Sequence, residues 1–183
     1  RNHQGPALAS MVKWVNDTGR FTSFRVGLSD TLNRFNMARL RDVDLCTAYD
    51  IAAKAGDQWL RENAATLDQL NMPHDVVRWS HWLKNFPQEI ERNKEAFRTS
   101  FEEQPLFRQA ILMDIEAYAN RVHDKTLHEL DSAEFQTSLN YLIEELAVYS
   151  VILRELPATT VYPGKQLNCF AFMRENKPEF LPD

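Results

Sequence analysis

Apolar residues recur through Phe135 to Leu153 at the spacings of a buried helical stripe: Leu139, Leu142, Ile143, Leu146 and Ile152. Tyr141, Glu145 and Tyr149 are four residues apart, so they stack along one edge of the same helix. Leu156-Pro157 breaks it. Thr159 to Tyr162 is a short β-prone run that Pro163-Gly164 closes. The pattern predicts a helix carrying a Tyr/Glu pair that leads into a strand with a tyrosine near its end.

Elsewhere the period changes from two to three or four and back. Phe21 to Ser29 (FTSFRVGLS) alternates like a strand and places Gly27 and Ser29 where the chain leaves the sheet. Asp44 to Leu70 reads as a long helix, with Ala48, Ile51, Ala52, Ala55, Trp59, Leu60, Ala64 and Leu67 inward and Asp42 or Asp44 as its cap. Val76 to Trp79 is a short strand. Pro87 opens a helix to about Phe101, a further helix runs from Leu106 to about Leu130, and Gln166 to Met173 reads as a final strand. Few strands with long helices between them predict an α/β layered domain in preference to a bundle. Residues 1–183 are expected to form a single domain, with 1–20 and 174–183 peripheral.

Composition narrows the class of protein. With 44% hydrophobic and 26% charged residues, the chain is that of an ordinary globular protein. No apolar run reaches membrane-spanning length, and no signal-peptide pattern opens the sequence. Cys46 and Cys169 do not make a disulfide framework, so a reducing cytoplasmic setting is expected. The chain opens on Arg1 and is expected to be a processed or partial sequence. A net charge of −5 argues against a generally basic nucleic-acid binder, while leaving room for a local basic patch.

The candidate chemistry is sparse. The histidines show no metal-binding spacing, and no P-loop or dinucleotide fingerprint is present, so neither metal nor cofactor is expected. Gly27-Leu28-Ser29 is not the G-x-S-x-G elbow, because Thr31 stands where the second glycine belongs. A serine at such a point ordinarily caps a loop, and a tyrosine on a helix edge ordinarily packs.

Together, however, these residues resemble the tRNA-dependent cyclodipeptide synthases. That family has Gly-x-Ser after the first strand, here Gly27-Leu28-Ser29, and Tyr-x-x-x-Glu on a helix, here Tyr141 to Glu145. A second tyrosine follows on a strand, here Tyr162. FEEQPLFRQAI resembles the family's helix-to-helix junction, with Gln104 in place of the usual Asn. Leu32 and Tyr162-Pro163 resemble the branch with a non-Asn residue and Tyr-Pro. Ala147 departs from the usual proline. The eight residues between Phe35 and Asp44 are too few for the loop, strand and loop of the family, so a trimmed or missing segment is expected near 36–43.

The resemblance implies a Rossmann-like, mainly parallel sheet flanked by helices, similar to the catalytic domain of class I aminoacyl-tRNA synthetases. It implies a monomer that makes cyclic dipeptides from two aminoacyl-tRNAs by a ping-pong course, with Ser29 as nucleophile and Tyr141, Glu145 and Tyr162 as its catalytic partners. Gly27, Leu32 and Pro163 would contact substrate. Arg92, Lys94 and Arg98, on the helix after Pro87, are the candidates for tRNA phosphates, although Glu89, Glu91 and Glu95 interleave with them as on a solvated face. The alternatives are a Ser29-dependent hydrolase or acyltransferase, and a catalytically silent relative that binds tRNA or a protein.

Overall fold

The alternation around Val26 becomes β1, Phe24–Leu28, which turns Phe24, Val26 and Leu28 inward and Arg25 and Gly27 outward. The computed structural model describes residues 5–156 and 166–176. Ahead of β1, the expected periphery contributes α1, Gly5–Thr18, which buries Leu8, Val12 and Val15. After β1 the chain makes a 3-10 turn, Thr31–Asn33, then α2, Arg34–Arg41, and α3, Leu45–Leu67. It returns as β2, His74–Arg78, which pairs in parallel with β1 from Phe24 opposite His74 to Leu28 opposite Arg78. Among the described residues the sheet consists of these two strands.

The interval between Phe35 and Asp44, judged too short for the family's loop, strand and loop and expected to be trimmed or missing a segment, holds most of α2. Asp42 ends α2 in the left-handed conformation, at φ 50°. Asp44 then caps α3 through hydrogen bonds that its side chain accepts from Cys46 N at 2.8 Å and Thr47 N at 3.0 Å. No strand is needed there, because β1 receives its neighbour from beyond α3.

Beyond β2 the chain is helical. Trp79 leaves the strand to open α4, Trp79–Asn85, and is buried. Pro87 and Pro105 begin α5, Pro87–Glu103, and α6, Pro105–His123. The expected extension of α6 to Leu130 is cut short by Asp124, at φ 54°, and a 3-10 turn at Leu127–Glu129 follows. Next come α7, Ser132–Glu155, and α8, Asn168–Glu175. The expected strand at Gln166–Met173 is thus a helix. Its buried residues, Cys169 and Met173, are four apart, a helical spacing that a short apolar run disguises. The β-prone run at 159–162 lies outside the described residues.

The main core gathers α4 to α8, with Phe97 and Phe107 stacked at 5.9 Å and Leu32, Trp79 and Trp82 closing it from the sheet side. A smaller core holds Val12, Val15 and Leu70, with Phe21, Phe24 and Met72 against it. No helix of the described residues is long and apolar enough to cross a membrane.

The first turn of α7 is fixed by charge. Glu134 is buried, accepts hydrogen bonds from Lys125 Nζ at 2.7 and 2.9 Å and from Asp131 N at 3.0 Å, and pairs with Arg39. These partners, Lys125 first, pull its pKa from the usual carboxylate value down to about 2. A depressed carboxylate stabilises the fold above its unfolded pKa, and that contribution disappears as pH falls toward the folded one. Thermal melts should therefore show stability declining from about pH 4.5 to about pH 2. Glu134→Gln should lose about 1–3 kcal/mol at pH 7 and flatten that part of the acid slope.

Candidate active site

Parallel strands present their ligands at their carboxyl ends, and β1 and β2 end flush, with Leu28 opposite Arg78. Ser29 follows at once and is half-buried. A cavity of about 1460 Å³ opens there, and Gly27, Ser29, Asp114, Tyr141, Glu145 and Tyr149 all contribute to its wall. The three-member edge of α7 thus meets the exit of β1 across one space. Tyr149 is held by aromatic neighbours, Phe170 edge-on at 4.8 Å and Trp79 at 6.2 Å.

Two adjacent glutamates of α7 are buried and have opposite surroundings. Glu144 forms a two-pronged pair with Arg34 and accepts from Trp79 Nε1 at 3.1 Å. Glu145 makes no hydrogen bond or ion pair among the described residues, and burial, then the nearby negative charge of Asp114, raises its pKa to about 7. Asp114 is buried too, and accepts from Asn168 N at 2.9 Å, Asn168 Nδ2 at 2.7 Å and Cys169 N at 2.9 Å. It caps the first turn of α8. Buried beside these carboxylates, the Cys169 thiol is raised well above its ordinary value.

A carboxyl that titrates near neutrality in a cavity, opposite a serine, suits proton transfer. The wall also includes His74, but His74 is paired with Phe24 at the opposite end of the sheet. Five strand positions separate that level from Ser29, about 16 Å, too far for a Ser–His pair.

The remaining expected residues fall differently. Leu32 lies in the main core, fully buried, and is not part of the cavity wall. Tyr162 and Pro163 lie outside the described residues. On α5, Lys94 Nζ binds Glu91 at 2.7 Å, Arg98 stands 4.0 Å from Glu95, and Arg92 is exposed. Asp114 and Asp30 were not anticipated. Asp114 left a signal: it is a lone acid among Ile111, Leu112 and Ile115, three and four residues from a buried stripe.

No protein-family model matches the sequence, and no curated protein matches it. Solved structures do. A CDPS from Fluoribacter dumoffii superposes with a TM-score of 0.85 at 22% identity, covering 98% of this chain and 81% of that one. A cyclodipeptide synthase from Candidatus Glomeribacter gigasporarum, bound to Phe-tRNAPhe, gives 0.71 at 18% identity, over 96% of this chain and 75% of that one. AlbC, a cyclodipeptide synthase from Streptomyces noursei, gives 0.58 at 16% identity, over 82% and 70%. The fold of this chain is therefore that of the cyclodipeptide synthases, an α/β fold of Rossmann-like type with a small parallel sheet.

The raised carboxyl of Glu145 has a thermodynamic signature. A raised carboxyl costs the fold nothing below its unfolded pKa, and the cost grows as pH climbs from about 4.5 to about 7. Glu145→Gln should be more stable than the parent at pH 8, by at most about 3 kcal/mol, with the gain vanishing near pH 4. Denaturant titrations of both proteins at the two pH values measure it. A solvated helix glutamate would show no gain at either.

Proposed function

We propose that this chain condenses two aminoacyl-tRNAs into a cyclic dipeptide through an aminoacyl ester on Ser29. The observation that carries the reading is the convergence of Ser29, Tyr141 and a buried Glu145 on one cavity at the carboxyl end of the strands. The likeness of the fold to cyclodipeptide synthases, one of them bound to Phe-tRNAPhe, supports it.

The chemistry follows from what an aminoacyl ester is. It is already activated, so a serine hydroxyl can attack it without a full triad. Ser29 Oγ bonds to the carbonyl carbon, the bond to the tRNA ribose oxygen breaks, and the hydroxyl proton leaves with that oxygen. The amine of the Ser29-bound residue, or that of the second aminoacyl-tRNA, then attacks the other ester. An amide forms, and the oxygen of the attacked ester, ribose or Oγ, leaves and takes a proton. The free amine of the dipeptide attacks the ester that remains, closing the ring and releasing the last oxygen.

Each amine must lose a proton before it attacks. An ammonium brought beside Glu145 stabilises the carboxylate and lowers its pKa from about 7, so the pair can exchange a proton at neutral pH. In this reading Tyr141, one turn earlier on α7, orients the amine or donates to the developing oxyanion. Tyr162 and Pro163 complete the set in this reading, and Gly27 lets the substrate backbone approach the end of the strand.

Arg92, Lys94 and Arg98 are the residues proposed to meet tRNA phosphates. Arg92 is exposed, and the 4.0 Å pair of Arg98 with Glu95 on the surface of α5 is weak and readily exchanged for phosphate. In this reading the protein works in the cytoplasm as a monomer.

Intact-protein mass after incubation with charged tRNA, together with a cyclic-dipeptide assay, tests the reading. Ser29→Ala should give neither adduct nor product. Glu145→Gln should still accumulate aminoacyl-enzyme while product falls about 100- to 10,000-fold. Product at the parent rate from Glu145→Gln would leave Glu145 without a role in the reaction.

A further inference from the structure

The turn that bears Ser29 is held from below by an ion pair joining the ends of both strands. Asp30 follows Ser29 directly and is 8% exposed. Its two carboxylate oxygens have separate tasks. Oδ1 accepts from Thr31 N at 2.8 Å and caps the 3-10 turn. Oδ2 receives Arg78 Nε at 2.6 Å and Arg78 Nη2 at 2.5 Å. Arg78 is the last residue of β2, so the contact crosses directly from one strand end to the other. The same guanidinium donates to Ala53 O of α3 at 2.7 Å and pairs with Asp57, whose side chain is 47% exposed.

A glycine in the middle of α3 makes room for this pair. A Cβ on Gly56 would stand 2.4 Å from Asp30 Oδ2, 2.8 Å from Asp30 Cβ and 2.9 Å from Arg78 Nη2. Glycine inside a helix is unfavourable relative to alanine. Here the missing side chain is what lets the Asp30–Arg78 pair lie against the helix. The turn also carries an uncompensated group: Thr31 Oγ1 is buried with no hydrogen-bond partner among the described residues. A turn that tolerates such a group is being held by something other than its own hydrogen bonds.

We infer that Arg78 is a positioning residue for the nucleophile: through Asp30, and in the space left by Gly56, it fixes the direction in which Ser29 presents its hydroxyl to the cavity. The inference rests on Ser29 being the acylated residue. Arg78 does not itself touch the reacting atoms. Its effect belongs to the attack of Ser29 on the first ester, where a misplacement of about 1 Å costs on the order of 100-fold.

Single-turnover acylation, followed by intact mass with charged tRNA in excess, tests it. Arg78→Ala should acylate Ser29 about 100-fold more slowly. Millimolar methylguanidinium, which can refill the vacated site, should restore a large part of the rate. Asp57→Asn, which leaves the Asp30 contact intact, should acylate within about twofold of the parent, an exposed pair contributing little. Arg78→Lys covers the case in which the alanine variant does not fold. One ammonium cannot serve Asp30 and Ala53 with the geometry of a guanidinium, so this variant should fold and still acylate at least about tenfold more slowly. Acylation of either folded Arg78 variant at the parent rate overturns the inference. So does a loss that merely follows the unfolded fraction in a parallel melt and is not rescued. If the parent protein forms no adduct on Ser29, the functional reading itself falls, an outcome distinct from a defect confined to Arg78.

Discussion

A buried carboxylate must have its charge met, and the way Glu144 meets this need orders the centre of the molecule. Glu144 is 1% exposed. It takes both prongs of the Arg34 guanidinium and the indole N–H of Trp79, and Arg34 also donates to Thr31 O at 3.0 Å. One side chain of α7 thereby holds the start of α2, the turn after β1 and the start of α4. Successive residues of a helix are about 100° apart in direction. With Glu144 committed to Arg34, Glu145 is turned away from that cluster and toward the cavity wall.

Two arginines therefore bracket the turn after Ser29. Arg34 reaches Thr31 O from the α7 side, and Arg78 reaches Asp30 from the α3 side. Each ends in a buried carboxylate, and each guanidinium also bonds a main-chain oxygen. A planar fork with five donors does this where an ammonium would not. The outcome is a short turn whose geometry is imposed by α3, α7 and β2 together. That is the kind of support a nucleophile needs when no histidine among the described side chains is at hand to orient it.

The long periodic elements could be read from the sequence, because their signals are strong and local. Asp44 is a cap four residues ahead of a long apolar stripe, and Pro87 and Pro105 mark helix starts through their missing N–H groups. The Tyr141, Glu145 and Tyr149 edge could be read from spacing alone. Asp30 and Arg78 could not: their partnership spans 48 residues and exists because two strands end at the same level. Gln166 to Met173 misled because eight mixed apolar residues fit a buried strand as well as a helix. What decides is Asp114, fifty-four residues earlier, which caps α8. Adjacent glutamates in an apolar run look alike in sequence. Which one receives the arginine is a tertiary fact.

The difference between those two glutamates also separates stability from chemistry. Glu144 is buried and fully partnered, so its removal would leave Arg34 uncompensated and loosen three elements at once. Glu145 is buried beside another carboxylate and has no hydrogen bond or ion pair among the described residues, so burial makes its ionised form costly at neutral pH. A fold keeps such a cost where something outside it supplies the missing charge. An aminoacyl group carries an ammonium and would do so. In the proposed reaction, binding would then be strengthened by the cost that burial puts on an ionised Glu145, and the proton would pass to a carboxylate that becomes ionised as the aminoacyl group arrives. Asp114 sharpens the effect in the same direction, because its negative charge holds the Glu145 proton until a cation enters the cavity.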